Sequence, residues 1–162
     1  MSEQPDWLEG GTVTSPKGFV AGAAYASIKT YAKDKWDIGI LVSEKPCVTA
    51  GMYTLNKFVS PSVTLTKERV AGGRVRSVFV SSGIANTGVG EQGMLDARES
   101  VELAAVHAGC DPQEMAIGTT GVIGVELPMA LIRSGIPNIQ LREQGGDAFA
   151  RAIMTTDRVP KS

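Results

Sequence analysis

The chain has very little histidine and cysteine: one His, at 107, and two cysteines, Cys47 and Cys110, in 162 residues. Any mechanism needing a Ser–His or Cys–His pair would depend on that single imidazole. The cysteines have neither metal-ligand spacing nor the density of a disulfide framework, and both read as small buried or half-buried side chains. An excess of one charge is also missing, since 16 Lys and Arg stand against 17 Asp and Glu, a formal net charge of -1. Without a basic surplus to hold a phosphate backbone, nucleic acid is not an expected partner. No apolar run approaches the roughly 18 residues of a membrane span, so no membrane is expected either. The opening MSEQPDWLEGG carries acids where a signal peptide needs bases and then an apolar segment. It reads as a flexible stretch over 1–10 of a cytoplasmic protein.

What is present is ordinary for a soluble globular protein: 43% hydrophobic and 20% charged residues, enough for one domain with a core over 11–162. No repeat, low-complexity tract or charge block marks a linker. GFVAGAAYASIK, from Gly18, alternates small and apolar residues as a strand does, with a polar turn over 32–35. WDIGILVS, from Trp36, reads as a buried strand. CVTAGMYT and SVTLT read as further strands, with Pro61 at the start or edge of one, and KERVAGG as one helical turn. VRSVFVSS is the clearest central strand.

Residues 94–109 give the clearest helix. Met94, Ala97, Val101, Ala104, Ala105 and Ala108 form one stripe, with Asp96, Glu99, Ser100 and Glu102 on the outer face. Gly109 suits the position just past the end, and His107 reads as an exposed helix-end residue. EMAIGTT is a short strand, Pro128 suits the first turn of PMALIRSG, and GGDAFARAIM is a last helix with Asp147 as its N-cap. TTDRVPKS is an extended exit. Early strands in close succession favour antiparallel pairing, hence an α+β layered fold over repeated βαβ units.

Three motifs could carry chemistry. GVGEQG, with glycines at 88, 90 and 93, matches G-x-G-x-x-G, and Asp111 lies at about the distance of a ribose-binding acid. A dinucleotide turn needs its first glycine directly after the strand, but SGIANT intervenes, and Asp111 in CDPQ suits a turn or cap. IGTTGVIG places hydroxyls and glycines at a strand end before a helix. Such a segment can form an anion-binding concavity of the oxyanion-hole type, or simply a tight turn. MTTD, from Met154, is a second hydroxyl cluster, which either caps locally or lines a pocket. Ser81 or Ser82 as the nucleophile of an amidohydrolase would lack a nearby base.

Taken in order, GGTVTSPKGFVAGAAYASIK, SSGIAN, EQGMLDAR, TTGVIGVELPM and AIMTTDRVPK closely resemble the N-terminal (α) part of the ornithine acetyltransferase family. These are the bifunctional glutamate N-acetyltransferases of arginine biosynthesis, and the resemblance runs from about Gly10 to Lys161. It implies a layered α/β/β/α sandwich of which the chain holds the α part. It also implies acetyl transfer from N-acetylornithine to glutamate through an acyl-threonine, with no cofactor and acetyl-CoA as a further donor substrate. The nucleophilic threonine arises by self-cleavage between Ala and Thr and begins a β chain, the expected partner in an α2β2 assembly. By residue match, Thr120 (side chain) and Gly121 (backbone N–H) form the oxyanion hole, Thr155 contacts substrate, and Thr156 is its neighbour. GVGEQG becomes the loop after the family's Asn-Ser-Gly-Asn-Ala-Asn segment. The competing reading is a non-catalytic protein that binds a small ligand such as a nucleotide at Gly88 to Gly93.

Two departures from the family pattern stand out. Asn-Ser-Gly-Asn-Ala-Asn appears as Ser81, Ser82, Gly83, Ile84, Ala85 and Asn86, which removes two amides and puts the packing of this loop in question. No Ala-Thr-Met-Leu cleavage segment occurs in the 162 residues, so the chain by itself is expected to be inactive.

Overall fold

The computed structural model describes residues 8–30 and 35–160. Most of the stretch read as flexible, the turn at 32–34 and Lys161 lie outside the described residues.

Four strands form one mixed sheet in sequence order: β1 (Phe19–Ala24), β2 (Ile38–Ser43), β3 (Ser77–Ile84) and β4 (Met115–Val122). The first three pair antiparallel and β4 runs parallel to β3. Alternation along the strands sorts two faces. Ile38, Ile40, Val42, Phe79, Met115 and Ile117 meet the main core, whereas Val80 packs with Ala21 and Phe149 on the opposite face.

The main face is covered by α1 (Pro61–Ala71), α2 (Gly90–Ala108) and α3 (Met129–Gly135), and the other by the short α4 (Gly146–Ala152). The α+β reading holds, as do β1, β2, β3 and the helix ending at Gly109. That glycine sits at φ 67°, where its N–H and that of Cys110 close the helix on Val106 and Ala105 carbonyls. The stripe Ala97, Val101, Ala104 and Ala105 is fully buried.

Several expectations are corrected. SVTLT lies inside α1: Ser60 caps it by accepting from the Val63 N–H at 3.3 Å, and Pro61 takes the first turn. Start signals at Ser-Pro outweigh the β-branched composition, and Ser62, Leu65, Thr66 and Arg69 turn inward with helical period. CVTAGMYT forms no strand; Val48, Met52 and Leu55 are essentially fully exposed. The sheet edges are partly engaged elsewhere. Arg142 bridges Ala21 at the β1 edge, and the Thr66 hydroxyl bonds both the N–H and the carbonyl of Ile117 on β4.

On α2, Asp96 and Ser100 are buried, not outward. Gln92 donates to Asp96 at 2.8 Å, and the Ser100 hydroxyl donates to the Asp96 carbonyl at 2.7 Å. His107 is half-buried, with Nε2 2.8 Å from the Ile139 carbonyl, and so ties the end of α2 to the segment after α3. Gly145, not Asp147, caps α4; Asp147 pairs with Arg151 one turn on, at 2.7 Å. Among the described residues no helix is long and apolar enough to cross a membrane.

Candidate active site

Parallel pairing of β3 and β4 sets Ser82 beside Thr120 and Gly83 beside Gly121. The two glycines meet at φ 118° and 132°. A Cβ on Gly121 would overlap the backbone carbonyl of Gly83, so this crossing admits glycine alone. Past the strand the contact continues, with Ala85 N–H to the Val122 carbonyl at 2.8 Å and Gly124 N–H to Thr87 at 2.7 Å. TTGVIG and SSGIAN thus run side by side from the paired strand ends into the loops beyond.

Strand alternation separates the two threonines. Thr119 turns to the α1 side, where its hydroxyl lies 2.8 Å from Ser62 Oγ and 2.9 Å from the Ala85 carbonyl. Thr120 turns to the α4 side and lines a cleft of about 370 Å³ with Ala150, Ile153, Met154, Thr155, Thr156 and Asp157. Thr120 thereby meets Thr155 and Thr156 across 35 residues of chain. None of these three hydroxyls has a hydrogen-bond partner among the described residues, while the Asp157 carboxylate accepts the Thr155 N–H at 3.2 Å. Gly121 stands beside this wall and is not itself part of the lining.

The loop departures resolve into packing. Ile84 is half-buried against the main core, so an apolar contact occupies this position. Asn86 is fully buried at φ 52°, a conformation asparagine tolerates, and donates to the Gly93 carbonyl at 2.8 Å. Among the described residues its Oδ1 has no hydrogen-bond partner, and it lies against Gly93, where a Cβ would strike it.

The nucleotide reading of Gly88 to Gly93 is not supported. Five residues separate β3 from α2, and a Cβ on Gly88 would meet the Phe58 ring at 2.9 Å. Glu91 occupies the first turn of α2, where a phosphate would otherwise benefit from the helix dipole. Asp111 caps a short 3-10 turn by accepting the Gln113 N–H at 2.8 Å. The hydrolase reading fails as well: Ser81 and Ser82 are fully buried, and the Ser82 hydroxyl donates to the Ala152 carbonyl. Both cysteines are free and half-buried, with Cys110 Sγ 3.3 Å from Ser77 Oγ. Among the described residues no three of His, Cys, Asp and Glu gather as a metal site.

Two residues near the cleft were not singled out in the sequence. Asp157 was visible as part of MTTD. Lys29 gave no signal beyond standing at the end of an apolar run, yet it is 3% exposed, with Nζ 3.0 Å from the Trp36 carbonyl and 3.4 Å from that of Ala152. Burial pushes its ammonium below the ordinary lysine range; Asp37 and Asp157 pull it back up, and Lys35 pushes it further down.

The chain matches the family model "ArgJ family" over residues 20–162. It is 43% identical to the arginine biosynthesis bifunctional protein ArgJ of Dehalococcoides mccartyi over 97% of its own length and 39% of that protein. The Symbiobacterium thermophilum protein of the same name is 46% identical over 96% of the chain and 39% of its own length. The chain therefore spans about two fifths of the curated relatives it matches. Among solved structures, arginine biosynthesis bifunctional protein ArgJ of Bacillus halodurans superposes with a TM-score of 0.87 at 37% identity, over 94% of this chain and 80% of that one. Ornithine acetyltransferase of Mycobacterium tuberculosis, complexed with ornithine, superposes with a TM-score of 0.89 at 33% identity, over 94% and 83%. With nearly all of the sheet and the paired strand ends at Thr120 inside the family match, the chain belongs to the ArgJ family.

Proposed function

We propose that this chain is the N-terminal α part of an arginine-biosynthesis N-acetyltransferase and supplies its oxyanion hole and one wall of its substrate pocket. The observation that carries this is the cleft itself: three threonine hydroxyls, none with a partner among the described residues, line one opening at the end of β4. The reading is also supported by the ornithine bound in the Mycobacterium relative.

In this reading N-acetylornithine enters against Thr155 and Thr156. A threonine from the part of the family's sequence that this chain does not span attacks the acetyl carbonyl. The Thr120 hydroxyl and the Gly121 N–H donate to the oxygen as it becomes negative. The C–N bond breaks, the departing amine takes the proton that the nucleophile gave up, and ornithine leaves an acetyl-threonine behind. The amine of glutamate then attacks that acyl group, yielding N-acetylglutamate and the free threonine. "Bifunctional" in the relatives' names agrees with acetyl-CoA as a second donor. No step needs a metal or a bound cofactor.

The two crystallised relatives are 80% and 83% covered by a chain that spans 39% of the curated proteins, so those chains are about half as long. That agrees with self-cleavage into α and β chains that reassemble in the cytoplasm as α2β2, the α chain alone being inactive. The test is Thr120→Ala in the full-length protein. Loss of one oxyanion donor should lower kcat by about 10²–10³, with the KM for N-acetylornithine changed far less. An unchanged kcat would remove Thr120 from the mechanism.

A further inference from the structure

We infer that Lys29 is a positioning residue for this cleft: with Ser82 it holds the Ala152 carbonyl, and so sets where Thr155 and Thr156 stand opposite Thr120. The inference rests on the function proposed above.

The first argument is that the lysine is costly where it stands. It is 3% exposed, and among the described residues it forms no ion pair within salt-bridge distance. The carboxylate buried closest along the chain, Asp37, is engaged by the backbone N–H groups of Ala26, Ile28 and Lys29 at 2.6, 2.7 and 3.2 Å. Lys29 Nζ is left with two carbonyls, those of Trp36 and Ala152. A methionine would fill similar space without desolvating a charge, so stability alone does not call for an ammonium here.

The second argument is what the ammonium reaches. Ala152 is the last residue of α4, and its carbonyl is one of the groups a helix end leaves unpaired. It receives the Ser82 hydroxyl from β3 and Lys29 from the connection between β1 and β2. Directly beyond it the backbone N–H groups bond locally: Met154 N–H to the Arg151 carbonyl at 3.3 Å and Thr155 N–H to the Asp157 carboxylate at 3.2 Å. Ala152 is therefore where the cleft wall is tied to the sheet that bears Thr120.

Lys29→Met and Ser82→Ala in the full-length protein test this. Each should raise the KM for N-acetylornithine about tenfold while kcat stays within about threefold, because Thr120 and Gly121 remain on β4. The double variant should cost little more than either, since both donors serve one carbonyl. Hydrogen exchange at 153–157 should quicken in both variants and stay unchanged over Met115–Val122. If Lys29→Met does not fold, Ser82→Ala carries the same expectation. A fall in kcat with KM unchanged, or unaltered exchange at 153–157, would overturn the inference. Wild-type protein without acetyl transfer would sink the proposed function instead, and the exchange data would still decide the role of Lys29.

Discussion

Gly121→Ala tests the close approach of β3 and β4 most directly. At φ 132° an L-residue is in a region that only glycine occupies freely, which costs about 1–3 kcal/mol. The added Cβ would also overlap the Gly83 carbonyl, a backbone atom in the adjoining strand that cannot swing aside. Overpacking of this kind adds about 1–3 kcal/mol. The sum, about 2–6 kcal/mol, is a large share of the 5–15 kcal/mol, roughly, that holds a domain folded. For a domain of this size each kcal/mol moves Tm by about 2–4 °C, so a fall of about 4–24 °C is expected. Gly118→Ala on the same strand is the control. Its Cβ would stand 3.7 Å from Val80 Cγ1, an ordinary contact, and its φ is not positive. That variant should melt within about 1 kcal/mol of wild type. Parallel thermal and urea melts of the two variants read this out. If Gly121→Ala were as stable as Gly118→Ala, the close crossing of β3 and β4 would be wrong.

Two further outcomes are expected. Thr119→Val should cost about 1–3 kcal/mol, because Ser62 and the Ala85 carbonyl lose their shared partner, yet leave kcat intact since that hydroxyl points away from the cleft; urea melts and steady-state rates separate the two effects. Lys29 should also leave a signature in alkaline stability. Its folded pKa is lowered from 10.5, so between the folded value and 10.5 the unfolded chain holds more protons and stability rises with pH. Asp37 and Asp157 oppose this shift and Lys35 adds to it, but the net direction is down. Lys29→Met lacks the rise, so wild type should gain stability relative to the variant as pH climbs toward 10.5; a pH-independent difference in urea midpoints would refute it.

Helix α2 was legible because its signal is local. A stripe at helical spacing needs only one buried face, and Gly109 ends it whatever lies beyond. The same reasoning misassigned Asp96 and Ser100, since a polar residue can turn inward when a neighbour one turn away satisfies it. SVTLT misled because β-branched composition and alternation are weak against a Ser-Pro start. His107 read as exposed because its partner, the Ile139 carbonyl, lies 32 residues away.

The sequence by itself determined the family and the chemical inventory: ordered motifs of hydroxyls and glycines, a single histidine, and the α+β class. It also marked TTG and MTTD as places where a hydroxyl could serve. Which of two neighbouring hydroxyls faces the cleft depends on tertiary structure. Thr119 and Thr120 are adjacent letters, and only the placing of β4 beside β3, with α1 on one face and α4 on the other, sends one to structure and the other to the cleft. The meeting of Thr120 with Thr155, and the contact of buried Lys29 with the Ala152 carbonyl, are likewise long-range. Local pattern fixes the period of an element, but the direction a side chain faces depends on what packs against each side, and that is a property of the whole fold.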